Sequence, residues 1–481
     1  MLLHLSPGKC IQTVKRLMDL GNLMRRLAST VILIAAMVSF AVPAYPYTLQ
    51  YTDSSSKFQI KWPNNRVNLT FSSSLIAPHS NVKAGSDVIG ALRRALSSWA
   101  EAADIEFVES WSKEQSISAA GTRGDGISLI TIADTLENVA PFVGPSIDMS
   151  GRTRVFYTKT GNITEADIVL NPYQQFSTDG TFGTYDIEAT FVHEIGHLLG
   201  LEHSSVVGAS MQPRQGRNGI YSLSAFGPRT LSQDDLNGAC SIYGMRPEAA
   251  TVRGSVAGTI SYEDGSPVFG ANVWIEEATS GRIVASSITL ANGSYQIDNV
   301  QPGSYYIRAE ALDGLVLASE IASQRGAYAG LTSTQGSPFL TEEIGRFAVV
   351  GEQTVRINAR VSEAASLLNA THIGFNSQLS TLAVPLLPGR IYTIYLAGDG
   401  VTLKQLAVGG VAVTSPYFTV NQSSIVQQEF GAGHSVISFD LFVRENTPVG
   451  DYSVRVLSKT GEVSYVVGGL SVSSDTDDTA P

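Results

Sequence analysis

Three of the chain's seven histidines fall inside one short stretch, "HEIGHLLGLEH", running from His193 to His203. The preceding "ATFV" and the stretch itself are apolar and helix-forming, and residues four apart on a helix share one face, so the imidazoles of His193 and His197 can converge on a single ion. Gly200 can adopt positive φ without a Cβ penalty and so end the helix, letting the chain turn back and present His203 as a third nitrogen. Neutral imidazoles suit zinc, at about 2.0–2.1 Å per bond, and three protein ligands with one open position are the arrangement of a catalytic ion. Glu194, beside His193, can take a proton from a water activated by that ion and pass it to a leaving amine. The chemistry implied is hydrolysis of a peptide bond.

The flanking segments must hold that stretch in place. "SDVIGALRRALSSWAEAADIEF" carries apolar residues at Val88, Ile89, Leu92, Ala95, Leu96 and Trp99, which is helical spacing. "ISLITIAD" and "ADIVLNP" read as short buried strands, so residues 58–246 form an α+β unit. From about Thr251 helices give way to short alternating strands cut by Gly, Pro, Asp and Asn turns, as in "TVRGSVAGTISYEDGSPVFGANVWIEE" and "GSYQIDNVQPGSYYIRAEAL". "SEAASLLNATH" makes a junction, and the alternation resumes in "RIYTIYLAGDGV" and "HSVISFDLFVRENTPVGDYSVRVLS". Two all-β sandwich domains, 251–362 and 363–473, are therefore expected, with "QTVRINARV" completing the first and a polar tail, 474–481, expected to be disordered.

"HEIGHLLGLEH" matches the H-E-x-x-H-x-x-G-x-x-H pattern of the metzincin metallopeptidases, and Met211 lies where that clan has its Met-turn methionine. Ser204 directly after His203 resembles the matrixins. "KWPNNRVNLTF" is similar to the opening strand of a matrixin catalytic domain, "DVIGALRRALSSWAEAADIEF" to its first helix, "ADIVLNP" to a sheet strand and "LSQDDLNGACSIYG" to its closing helix. The resemblance implies a mixed, twisted five-stranded sheet with three helices and an extended cleft across one zinc. It also implies that Gln212 to Arg229 wall the pocket for the side chain just beyond the scissile bond. Thr251 to about Leu312 looks like the carboxypeptidase regulatory-like β-sandwich, and the final unit is immunoglobulin-like at the level of pattern.

The departures from the matrixin pattern matter too. Cys10 precedes the export signal, so latency through a propeptide cysteine is not expected. His79 is the one other histidine in the α+β segment, so a second, structural zinc is not expected. For calcium, "FSTDGTFGTYD" offers Asp179 and Asp186 with backbone carbonyls, but acidic residues in a Gly-rich loop are more often solvated turn residues.

At 481 residues the chain is long enough for several cores. A net charge of −11, with no basic cluster beyond the N-terminus, argues against nucleic acid as a partner. Of the two cysteines only Cys240 would remain after export, so disulfides do not hold this fold. From Met24, "MRRLASTVILIAAMVSFAVPAYP" has the basic start, apolar run and small residues, Val42 and Ala44, of a signal peptide; an uncleaved membrane anchor is the rival reading. With cleavage after Ala44 the protein is secreted and has no membrane segment.

Two functions from different classes fit. One is a secreted zinc endopeptidase acting on protein or peptide substrates, its β-modules binding cell-surface or matrix polymers or serving as spacers. The other is an adhesion or scaffold protein with an inactive peptidase fold. Glu194 discriminates between them, because degenerate peptidase folds lose the glutamate or a ligand, whereas here Glu194, the three histidines and Met211 all remain.

Overall fold

The computed structural model describes residues 47–473 except 224–226, 250, 323–325, 332–337, 432 and 434. The export segment, the C-terminal tail and His434 lie outside the described residues.

Strand β1 (Arg66–Ser72) alternates exposed and buried side chains and pairs in parallel with β2 (Glu106–Ser112) and β3 (Leu129–Thr131). β4 (Gly151–Tyr157) and β5 (Ile163–Leu170) complete a five-stranded sheet in the order β2-β1-β3-β5-β4, in which β4 alone runs antiparallel to its neighbour. The sheet thus ends in β4, whose outer edge carries no strand among the described residues. A minimal parallel pair, β6 (Phe176–Ser177) with β7 (Tyr185–Asp186), then leads into the helix that carries the histidines.

Helix α1 (Val88–Ala102) is capped by Asp87 and buries Val88, Ala91, Leu92, Ala95, Leu96 and Trp99. That stripe packs on α2 (Ile187–Leu198), which is buried nearly all round, Glu188, Thr190, His193 and Glu194 included. The Trp99 indole donates to the Val192 carbonyl at 2.8 Å. At the end of α2, carbonyls that a helix leaves without partners are met by side chains: Trp62 Nε1 reaches Leu198 O at 2.9 Å and the Tyr243 hydroxyl reaches Leu199 O at 2.7 Å. Tyr243 closes α3 (Gln233–Tyr243), which opens with a capping box between Ser232 and Asp235. The resemblance implies three helices; besides α1, α2 and α3 this segment holds a further single helical turn, Leu136–Val139.

The C-terminal half consists of paired sheets. β8 (Gly254–Tyr262), β11 (Ser294–Val300), β14 (Thr354–Arg356) and β15 (Ala359–Val361) form one layer. β9 (Asn272–Glu277), β10 (Ile283–Ile288), β12 (Gly303–Glu310) and β13 (Glu342–Val349) form the other, with a core that includes Val256, Val273, Ile297 and Ile307 between them. The next module stacks the sheet of β16 (Asn369–Phe375), β17 (Gln378–Ser380), β19 (Ile391–Asp399), β21 (Phe418–Gln428) and β22 (Ser435–Val443) on that of β18 (Val384–Leu386), β20 (Leu406–Val413), β23 (Gly450–Ser458) and β24 (Val463–Val472). The expectation that helices vanish after Thr251 needs one correction. Ala318–Ile321, between β12 and β13, is a helical turn, and four residues are too few to leave a periodic signature.

The three segments share one apolar core. Leu198 and Met211, Leu315 and Ile321, and Ile373 and Leu470 all belong to a single buried cluster, although they come from different modules. Among the described residues no helix is long and apolar enough to cross a membrane.

Candidate metal centre and active site

His193 and His197 project from one face of α2 with ring centroids 4.8 Å apart, and His203 closes the triangle at 5.4 and 4.9 Å. One nitrogen of each ring lies within 4.8 Å of the others, and this is the one such group of metal-binding side chains among the described residues. Each Nδ1 faces a backbone carbonyl: Ser210 O at 2.8 Å for His193, Leu201 O at 2.9 Å for His197 and Glu320 O at 2.7 Å for His203. A carbonyl only accepts, so each Nδ1 must carry the hydrogen, and each Nε2 is left with a lone pair for the centre. Burial holds the imidazoles neutral, pushing His193 down to about 4, His203 to about 3 and His197 well below its ordinary value. Three neutral imidazoles with fixed tautomers and no acid among them fit a borderline-soft divalent cation.

The turn that returns His203 depends on Gly200. It has φ +95°, and a Cβ there would lie 2.3 Å from the Ile60 carbonyl. Met211 is fully buried beneath α2, so close to Gly196 that a Cβ at that position would meet its sulfur at 2.2 Å. Ser204 N donates to Met211 O at 2.8 Å, which closes the loop between the third histidine and the methionine. Asp235 anchors the same loop, accepting from Ser210 N at 2.8 Å and Met211 N at 3.2 Å.

Glu194 is buried beside the triad, and Thr153 on edge strand β4 reaches its Oε2 at 2.6 Å. Burial pushes the Glu194 carboxyl up to about 7, against the opposing pull of the Thr153 hydroxyl and Arg152. Gly151 leaves room for it, since a Cβ there would lie 2.9 Å from Glu194 Oε1. Thr153, Gly151, Leu201, Ser210 and Glu320 are the participants that sequence reasoning missed. The first two sit in strand β4, whose sequence gives no hint of them, and the other three act through backbone carbonyls, which no side-chain pattern reports.

Residues 61–244 match the family profile described as matrixin. This segment is a matrixin domain. Residues 255–358 match the carboxypeptidase regulatory-like domain, so the turn Ala318–Ile321 that meets His203 belongs to that second domain. The chain is 28% identical over 172 residues to metalloendoproteinase 1 of Glycine max, covering 33% of this chain and 46% of that protein. Over 210 residues it is 28% identical to metalloendoproteinase 5-MMP of Arabidopsis thaliana, covering 41% and 50%, and over 158 residues 28% identical to the interstitial collagenase of Oryctolagus cuniculus, covering 33% and 28%. The chain thus spans half or less of the length of these relatives. The solved major pilin subunit of Bacillus cereus overlaps 44% of this chain and 66% of its own at 14% identity and a TM-score of 0.18, which carries no argument.

The acidic loop of the matrixin domain does not support calcium. Asp179 is paired with Lys83 at 2.5 Å, which together with Thr181 holds its carboxyl well below the usual range. Asp186 is paired with Arg229 at 2.6 Å and caps α2 through Ala189 N at 2.9 Å. Both carboxylates are therefore already occupied by the protein's own cations and donors. The segment after Met211 lies against a cavity of about 1030 Å³ one turn back along α2, lined by Thr190, Gln212, Gln215 and Leu223 and, from the last module, Leu382 and Leu386. His79 stands apart, its Nε2 on Ser74 O at 2.8 Å.

Proposed function

We propose that this chain is a zinc-dependent metalloendopeptidase, exported from the cell, which hydrolyses peptide bonds of extracellular proteins. His193, His197 and His203 are the ligands of one zinc ion, and Glu194 is the general base. The observation that carries this reading is the convergence of three neutral imidazoles, each with its Nδ1 committed to a carbonyl, beside a buried carboxyl group. Zinc bound there supplies a Lewis acid that lowers the pKa of a water and polarises a carbonyl.

The chain's own groups do the rest. Glu194 takes the proton of the attacking water and returns it to the leaving amine, a role typically worth 10²–10⁴-fold. Thr153 fixes the carboxyl by holding Oε2. The open edge of β4 offers N–H and C=O groups to an extended peptide, which can add to the sheet as a strand next to Glu194. The cavity beside Thr190 receives the side chain following the scissile bond. Export rests on the stretch from Met24 to Pro46, and the working units are 58–246, 251–362 and 363–473.

The test is zinc stoichiometry of the purified chain from Tyr45, followed by cleavage of an unfolded protein substrate with and without a chelator. One zinc per chain, and cleavage that stops with chelator and returns with added zinc, is the expected result. A folded, zinc-loaded chain that cuts nothing would favour the scaffold reading.

A further inference from the structure

The matrixin domain supplies two of the three carbonyls that orient the histidines, Ser210 O and Leu201 O. The third comes from elsewhere. His203 Nδ1 donates at 2.7 Å to the carbonyl of Glu320, 117 residues further along the chain in the carboxypeptidase regulatory-like domain.

That carbonyl is held by a built device. The connection from β12 to β13 is far longer than a sandwich needs, and its start folds down on the metal centre, burying Leu312, Leu315, Val316 and Ile321 in the same cluster as Leu198 and Met211. Glu320 closes the helical turn on itself, its Oε2 accepting from Leu317 N at 2.9 Å. Its Oε1 meets Arg214 Nε at 2.6 Å, with both side chains largely shielded, and Arg214 NH1 donates to Leu315 O at 2.7 Å. Arg214 stands three residues after Met211, so one arginine clamps this turn to the loop beneath the triad.

We propose that the turn Ala318–Ile321 is part of the metal centre: the Glu320 carbonyl is a positioning group for His203, and the Arg214–Glu320 pair holds it there. This rests on the zinc reading of the triad. A carbonyl on Nδ1–H fixes the tautomer, aims Nε2 and raises its basicity, and loss of such a partner typically costs 10–100-fold in metal affinity. The second domain then acts as a component of the zinc site, and displacing it releases the metal.

The experiment uses the full chain and measures zinc affinity by competition with a coloured chelator, with circular dichroism and thermal unfolding of the metal-free protein alongside. Wild type is measured first, and a folded wild type that binds no zinc refutes the triad reading and this inference together. Given zinc binding, Glu320→Ala, which loses both the Leu317 and the Arg214 contacts, is expected to weaken zinc affinity about 10–100-fold. Glu320→Gln, which keeps an acceptor for Leu317 N but loses the charge, is expected to fall between Ala and wild type. Arg214→Gln removes the clamp from the other side, leaves the turn's own residues intact and should also weaken binding. Tyr221→Phe, which removes the hydroxyl contact with Leu382 O in the last module, reports loosening of a different interface and should leave zinc affinity unchanged. Wild-type affinity in folded Glu320→Ala and Arg214→Gln, or an equal loss in Tyr221→Phe, would overturn the inference while leaving the triad reading intact.

Discussion

The Thr153 hydroxyl lies 2.6 Å from Glu194 Oε2 and 2.9 Å from the Glu194 backbone carbonyl, so a single side chain on the edge strand serves both groups. It has one hydrogen to give. When Glu194 is ionised, that hydrogen goes to the carboxylate. Once Glu194 has gained a proton, its own O–H can donate to Thr153, whose hydrogen turns to the carbonyl. The pair therefore stays hydrogen-bonded in both protonation states of Glu194.

Thr153→Val should lower kcat by about 10–100-fold with little change in KM, because a hydrogen bond to a charged group is worth about 1.5–3 kcal/mol and this one acts on the base rather than on substrate binding. Thr153→Ser, which keeps the hydroxyl, should recover most of the loss. Steady-state kinetics on a peptide substrate decides it, and equal activity in the Val variant would remove Thr153 from the account.

Gly151→Ala places a methyl group 2.9 Å from Glu194 Cγ and Oε1. The carboxyl must swing away, so kcat/KM should fall by at least about tenfold, the effect of a displacement of around an ångström at a reacting group. Zinc content should be unchanged. Metal analysis beside kinetics separates this effect from damage to the triad.

Gly200→Ala meets two obstacles at once, the φ of +95° and the Ile60 carbonyl 2.3 Å from the new Cβ. Strain at such positions costs on the order of 1–3 kcal/mol. Because Gly200 sets the turn to His203, the variant should show a lower Tm and also retain less than one zinc per chain after dialysis. A stable variant with full zinc would mean that the turn can form without glycine.

Asp234 links the matrixin domain to the second domain, accepting from Ser204 Oγ at 2.5 Å and from Ser286 N at 2.6 Å. Burial pushes its carboxyl up to about 7, with Asp235 adding to the effect and the serines opposing it. The folded state therefore holds this proton more tightly than the unfolded chain. Its contribution is fully present below the unfolded value near 4 and is lost as pH rises through about 7. Urea unfolding at pH 5 and pH 8 should show Asp234→Asn losing on the order of 1–4 kcal/mol of the pH dependence seen in wild type. An unchanged difference would mean that Asp234 is ionised in the folded protein across that range.

Helix α1 was legible because Val88, Leu92, Ala95, Leu96 and Trp99 fall on one face, and the structure buries those five. The strands of the β-modules were legible for the same reason at period two. His193, Glu194 and His197 could be grouped because a helix makes spacing equivalent to proximity. The Glu320 carbonyl could not, since it meets His203 across 117 residues through an atom that every residue possesses. Asp179 and Asp186 illustrate a different limit: a sequence shows acidic residues in a loop, but not that Lys83 and Arg229 arrive from other elements to pair with them.

The role proposed for Glu194 is decided by comparing Glu194→Ala with wild type, both loaded with zinc, in cleavage of an unfolded protein. With the three histidines as the ligands and Glu194 as the proposed base, the variant should keep about one zinc per chain while turnover falls by about 10²–10⁴-fold. A zinc-loaded Glu194→Ala variant that cleaves at the wild-type rate would mean that Glu194 is not the general base.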